Sequence, residues 1–199
     1  MIPFSYHNNN ATTDVDDVDE IEDIIDNIYM SESSTSNLVF TMDVEQSYEN
    51  FHMITDRVAI GDYTTPYDSF DVVFNFNYPY NGVSLGAIDS ELDYSHGVIK
   101  KTVYKIGLLD TTEYSDTLME LFIKLIPYLI NAKNKRILFH CYAGISRSST
   151  AAILYFMLTT DMSLQEIYTL LQSKRSFINP NPTFRRIIEI CYSMRFHMK

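Results

Sequence analysis

The residues with the clearest chemical potential lie in one run, RILFHCYAGISRSSTAAILYFML, residues 136–158. An apolar, β-prone stretch (Ile137, Leu138, Phe139) leads into His140 and Cys141. A short loop containing Gly144 follows, and Arg147 then opens an apolar stretch of helical character. Strand, tight loop and helix in that order aim successive backbone N–H groups and a helix N-terminus at one point, a ready site for an anion. A cysteine at the start of the loop sits in that positive field, which favours the thiolate, the nucleophilic form of the side chain. Arg147, six positions on, can fold back and offer a planar fork to two phosphate oxygens, which the point charge of a lysine cannot imitate. Gly144 allows a positive φ or a close backbone approach within the loop. Taken singly, a cysteine at a strand end is ordinarily a small buried hydrophobe. The full pattern His-Cys-x-x-Gly-x-x-Arg-Ser, however, arises by chance in on the order of one chain in ten thousand.

Attack of a thiolate on a phosphate ester leaves an alkoxide or phenoxide that needs a proton, and the second step needs a base to activate water. One carboxyl can serve both steps in turn. Asp110, directly after the β-like run TVYKIGLL, is the leading candidate. Glu113 and Asp116 are nearby rivals, and Asp110-Thr-Thr-Glu113 also reads as a helix capping box.

The elements that would position these groups alternate. Short strands are predicted at Val58–Gly61, Phe70–Asn77, Thr102–Leu108 and Arg136–Cys141, and helices at about 116–132, 147–159, 163–175 and 182–196. This interleaving predicts an α/β fold, a single domain over 45–199 with a central, mainly parallel sheet flanked by helices. Residues 79–101, punctuated by Pro79, Gly82, Gly86 and Gly97, read as a long loop or hairpin. Ahead of the domain, residues 1–44 form an acidic segment. Val15, Val18, Ile21, Ile24, Ile25 and Ile28 recur there at helical spacing over 15–29, and seven acids lie between residues 16 and 26. A Ser-rich linker occupies 31–37. The apolar stripe shows that something is covered, either the helix's own domain or a partner.

Composition bounds the remaining choices. The 199 residues are 46% apolar, enough for one sizeable core. The formal charge of −11 is unevenly spread: residues 1–56 hold thirteen of the 26 acids and no Lys or Arg, so the rest carries thirteen acids against fifteen basic residues. The nearly neutral body can accept an anionic substrate, while the acidic head repels nucleic acid and anionic membrane. No basic stripe marks a nucleic-acid footprint, and no apolar run is long enough to span a bilayer. The start of the chain lacks a signal-like segment, and two cysteines in such a length fit a reducing, cytoplasmic location. No metal or organic cofactor is implied, because the thiolate replaces activated water and no cluster of metal ligands is evident.

The stretch HCYAGISRS resembles the signature loop of the protein tyrosine phosphatase superfamily, His-Cys-x5-Arg-Ser/Thr. ITDRVAIGDY (54–63), LYFM (154–157) and RSFINPNPTF (175–184) are similar to segments of its dual-specificity branch, over about residues 50–195. In length and layout the chain looks like small viral members of that branch, which would place it in a virus-infected host cell or a virion. The resemblance implies a phosphatase acting on phosphotyrosine and phosphoserine or phosphothreonine of a phosphoprotein. It makes Cys141 the nucleophile that becomes phosphocysteine and Arg147 the phosphate binder, with Asp110 as general acid and base. The backbone of Tyr142, Ala143, Gly144, Ile145, Ser146 and Arg147 would cradle the oxygens, Ser148 would hydrogen-bond the sulfur, and His140 would order the loop from behind. The loop lacks the lysines of inositol-lipid phosphatases. The chain keeps the cysteine, arginine and acid that phosphate-binding pseudoenzymes tend to lose. By analogy with small viral relatives, the 15–29 helix would pair two chains into a homodimer. Residues 79–101 are longer than in compact members, and Asp89, Glu91 and Asp93 there would disfavour acidic substrates if they lay near the pocket.

Overall fold

The computed structural model describes residues 49–195, which fall within one compact unit starting at Ser47. The expected helix at 15–29, the linker at 31–37 and the 44/45 boundary lie outside the described residues. Ten elements follow in order: β1 (Phe51–Met53), β2 (Val58–Gly61), β3 (Val72–Asn75), β4 (Ile88–Ser95), β5 (Val98–Ile106), α1 (Asp116–Asn131), β6 (Ile137–His140), α2 (Arg147–Thr159), α3 (Leu164–Lys174) and α4 (Pro182–Arg195).

The strands form one six-stranded sheet in the order β1-β2-β6-β3-β5-β4. The inner four are parallel, and β1 and β4 add antiparallel edges. A parallel strand buried on both faces reads as a continuous apolar run, and β6 is that strand: Ile137, Leu138, Phe139 and His140 are all buried. The register sets Gly61, His140 and Asn75 side by side at the C-terminal ends of β2, β6 and β3. Open α/β sheets hold their ligands at that end.

The two faces of the sheet are unequal. Ile60, Phe74, Ile137 and Phe139 point into a large core shared with the four helices. Ala59, Val73 and Leu138 point the other way into a small cluster capped by Phe51, Tyr67, Phe70 and Val103. The helices therefore cover one face, and α2 lies at their centre. Residues Arg147 to Met157 are buried all round, as expected of a helix surrounded by its neighbours. The signature loop joins the central strand to this central helix, so the whole core bears on its geometry.

Several elements differ from expectation. The run 70–77 yields a strand only over Val72–Asn75. β5 starts four residues before Thr102 and ends at Ile106, because Val98–Lys101 pair with β4 in a hairpin turning at His96 and Gly97. Asp110–Glu113 is not a cap. Ser115 caps α1, its side chain accepting from the Leu118 N–H at 3.2 Å. Asp89, Glu91 and Asp93 ride on β4, the edge strand three places from β6, and Glu91 pairs with Lys105 at 2.8 Å. They do not line the loop. Among the described residues no helix is long and apolar enough to cross a membrane.

Phe139, fully buried and stacked on Phe74 at 5.0 Å, tests this packing. Phe139→Ala is expected to lower unfolding stability by about 3–5 kcal/mol, the usual cost of deleting a buried ring, measured by urea denaturation.

Candidate active site

Peptide groups are planar, so a backbone carbonyl tied on one side of a loop turns the N–H of the following residue to the other. Every carbonyl from Tyr142 to Ser146 is tied from outside the loop. The Tyr142 carbonyl accepts from the Tyr63 N–H at 3.2 Å. Those of Ala143 and Gly144 accept from the Arg175 guanidinium at 3.2 and 2.9 Å. The Ile145 carbonyl accepts from the Asn179 N–H at 3.0 Å and from the Ser149 hydroxyl. The Ser146 carbonyl accepts from Ser149, from the Thr150 hydroxyl and from the Thr150 N–H. The loop is thereby a cradle of inward N–H groups resting on the N-terminus of α2, an arrangement that favours an anion. Gly144, at φ +69°, makes the turn; a Cβ there would lie 2.6 Å from the Gly61 carbonyl oxygen.

Cys141 starts the cradle, immediately after β6, and is 2% exposed. Its sulfur accepts from the Gly144 N–H at 3.2 Å and lies 3.3 Å from the Ser148 hydroxyl. Arg147 opens α2, and its side chain reaches the ends of β3 and β5. One terminal nitrogen, Nη1, donates to the carbonyls of Phe76 at 2.9 Å, Tyr78 at 3.0 Å and, longer, Leu108 at 3.4 Å, at the ends of β3 and β5. Its Nε is buried without a hydrogen-bond partner and has the Asp110 carboxylate 3.6 Å away. One corner of the guanidinium is thus anchored, while an unspent donor remains on another. A buried donor left unmade costs about 1–3 kcal/mol, which an oxyanion would recover.

Asp110 lies beyond β5, facing the loop. One carboxylate oxygen accepts from Ser146 Oγ at 2.9 Å and from Asn181 Nδ2 at 2.8 Å. Of the three candidate acids it is the one in contact with the loop; Glu113 is exposed and Asp116 begins α1. His140 sits behind the loop. Its Nε2 meets the Tyr67 hydroxyl at 2.5 Å, and Asn75 donates to that same oxygen at 3.3 Å. Burial pushes Tyr67 up to about 12 and drops His140 from 6.5 to about 4, outweighing the backbone of Cys141 and the charge of Asp62. Both stay neutral near pH 7. Cys191, the other thiol, lies in α4, where burial pushes it up.

Cys141, Ser148, His140 and Asp110 gather at this loop and Arg147 starts the helix that follows it, whereas Glu113 and Asp116 stand apart from it. Three residues here were not assigned from the sequence: Arg175, Asn181 and Tyr67. Arg175 and Asn181 belong to RSFINPNPTF, so the segment was noticed without its contacts. Tyr67 carries no local signal. Its role rests on a pairing 73 residues away.

Fold and site together define an α/β domain whose central strand ends in a buried thiol at the start of a loop of inward N–H groups. Residues 83–192 match the family described as dual specificity phosphatase, catalytic domain, and the chain belongs to that family. It is 44% identical over 70 residues to human dual specificity protein phosphatase 16, a match covering 31% of this chain and 10% of that protein. It is 46% identical over 52 residues to rat dual specificity protein phosphatase 15, covering 26% of this chain and 22% of that one. The matches thus span less than a quarter of either relative. The solved structure of PTPMT1 in complex with PI(5)P shares the fold at a TM-score of 0.57 and 16% identity, over 75% of this chain and 99% of that one.

The buried histidine has a consequence for stability. Because His140 is depressed in the fold from 6.5 to about 4, the unfolded chain takes up a proton first as pH falls. The stability it contributes is complete above about pH 6.5 and is lost towards pH 4, roughly 3 kcal/mol in all. Urea denaturation across that window is expected to show the loss, and His140→Gln to flatten it.

Proposed function

We propose that the chain is a cysteine-dependent protein phosphatase that hydrolyses phosphotyrosine and phosphoserine or phosphothreonine through a phosphocysteine on Cys141. The observation that carries this reading is the Arg147 guanidinium, pinned through Nη1 to strand-end carbonyls while a buried Nε is left without a hydrogen-bond partner beside Asp110.

In the first step the Cys141 sulfur attacks phosphorus. An S–P bond forms, the P–O bond to the side chain breaks, and the departing oxygen takes the proton of Asp110. In the second, the Asp110 carboxylate removes a proton from water, the water oxygen bonds to phosphorus, and the S–P bond breaks to release phosphate. Ser148, 3.3 Å from the sulfur, donates to it as it leaves. Arg147 and the loop N–H groups hold the non-bridging oxygens, where charge accumulates. Ser146 and Asn181 hold Asp110 at the rim, and His140 with Tyr67 supports the loop from behind.

The fold does not choose between protein and inositol-lipid phosphates, since a lipid-bound structure shares it. The loop side chains favour protein. Tyr142, Ala143, Ile145 and Ser146 supply no cation for a second phosphate, and the exposed Tyr142 stacks on Tyr63 at 5.1 Å. A panel of phosphopeptides, an inositol lipid and a 5′-triphosphate RNA separates these substrates. Turnover of the phosphopeptides is expected, abolished by Cys141→Ser. Asp110→Asn is expected to slow it by roughly 100-fold or more, the scale of general acid catalysis, with less effect on leaving groups that need no proton. Comparable turnover by the serine variant would sink the covalent route.

The acidic helix expected from the sequence at 15–29 is assigned by the same reading to pairing two copies of the chain, because its stripe would need a surface and an isolated helix of that length is marginal. Sedimentation of the full chain is expected to give a dimer, and Ile21→Asp with Ile25→Asp a monomer with unchanged peptide turnover. A monomeric parent would refute the pairing.

A further inference from the structure

Arg175, which follows α3, is fully buried. A guanidinium inside a core is held there only by a full set of acceptors, and those of Arg175 converge on the signature loop. Nε donates to the Gly144 carbonyl at 2.9 Å and Nη2 to that of Ala143 at 3.2 Å. Nη1 meets His52 Nδ1 at 2.8 Å and, at 3.5 Å, the Glu49 carbonyl. Its plane lies over the Phe177 ring at 4.3 Å. The fit leaves no slack, since a Cβ on Gly144 would lie 2.6 Å from Nη2.

The bond to Ala143 has a specific destination. The Ala143 carbonyl and the Gly144 N–H belong to one peptide group, and that N–H donates to the Cys141 sulfur at 3.2 Å. A cation bonded to the carbonyl end polarises the peptide and strengthens the donor at the other end. In the same way the Gly144 carbonyl fixes the Ile145 N–H. One side chain behind the loop thus orients two of its inward donors, one of them on the sulfur. His52 keeps the fork in register: with Arg175 donating, its Nδ1 must be an acceptor, and burial and the neighbouring Arg175 charge hold it below its ordinary 6.5 against the pull of Glu49.

We infer that Arg175 is a positioning residue for the reaction, setting the anion affinity of the loop and the nucleophilicity of Cys141 through the Ala143–Gly144 peptide. This rests on the phosphatase reading for its purpose but not for its test. Three quantities are compared in the full chain, the parent against Arg175→Lys: melting temperature, inhibition constant for inorganic phosphate, and the pH midpoint of Cys141 alkylation by iodoacetamide, with Cys191 as the internal control. Lysine keeps the charge but cannot reach both carbonyls and His52 at once. The expected result is phosphate binding weakened tenfold or more and an alkylation midpoint moved to higher pH, at a temperature where both proteins are folded. A variant that melts earlier but binds phosphate and alkylates within twofold of the parent would overturn the inference, leaving Arg175 a purely structural cation. If Arg175→Lys does not fold, Phe177→Leu decides. It removes the ring under the guanidinium and leaves its hydrogen bonds, so about threefold weaker phosphate binding supports the inference and unchanged binding defeats it. A parent that does not bind phosphate would defeat the phosphatase reading instead, while the alkylation comparison, which needs no substrate, still decides the role of Arg175.

Discussion

The arrangement depends on one constraint: five consecutive carbonyls, from Tyr142 to Ser146, must all face away from the space in front of Cys141. Left to itself a short loop turns some carbonyls inward, and a single inward oxygen would repel the anion the site is built to hold. The fold prevents this with donors from four separate places. They are the segment after β2 through Tyr63, the first turn of α2 through Ser149 and Thr150, the end of α3 through Arg175, and the approach to α4 through Asn179. Apart from the α2 turn, none of these can be in place unless the sheet and helices have packed. The large core therefore acts on chemistry through backbone direction, with little need for side chains inside the pocket beyond Cys141 and Arg147.

The two arginines divide the work. Arg147 stands in front of the loop with a donor unspent. Arg175 stands behind it with its donors committed to backbone and to His52. Both are buried, so the loop lies between two fixed positive charges in a medium that screens them poorly. Neutral His140 and Tyr67 add structure there without adding charge, while the Asp110 carboxylate, 3.6 Å from Arg147 Nε, offsets part of the positive field.

Much of this was legible in the sequence, and the rest was not for identifiable reasons. The helix limits at 116, 147, 164 and 182 lie within a residue of expectation because apolar periodicity and, in α1 and α3, serine caps mark them. Cys141, Arg147, Ser148 and His140 sit within nine residues, so their relation is local and reads directly. Asp110 was legible by its place after a strand, and its rival role as a cap fell to Ser115. β1 escaped because three half-exposed residues carry no pattern, and the start of β5 because Val98–Lys101 are solvated in the hairpin. Arg175 escaped for a different reason. A Lys–Arg pair at a helix end ordinarily reads as a solvated dipole partner; only the three-dimensional path of the loop turns the second of them inward.

The outer strand β4 carries a consequence for behaviour at high concentration. An edge strand eight residues long is an open template for another copy of itself. Two copies related by a two-fold axis normal to the sheet would align antiparallel with odd-numbered positions opposite odd-numbered ones. With the axis at Glu91, Glu91 would meet Glu91 and Asp89 would meet Asp93, and with the axis at Leu92, Glu91 would meet Asp93. Acids directly opposite acids are repulsive. The chain thus ends its sheet with a strand that refuses its own kind, a safeguard against runaway stacking into fibres that leaves self-association to other surfaces.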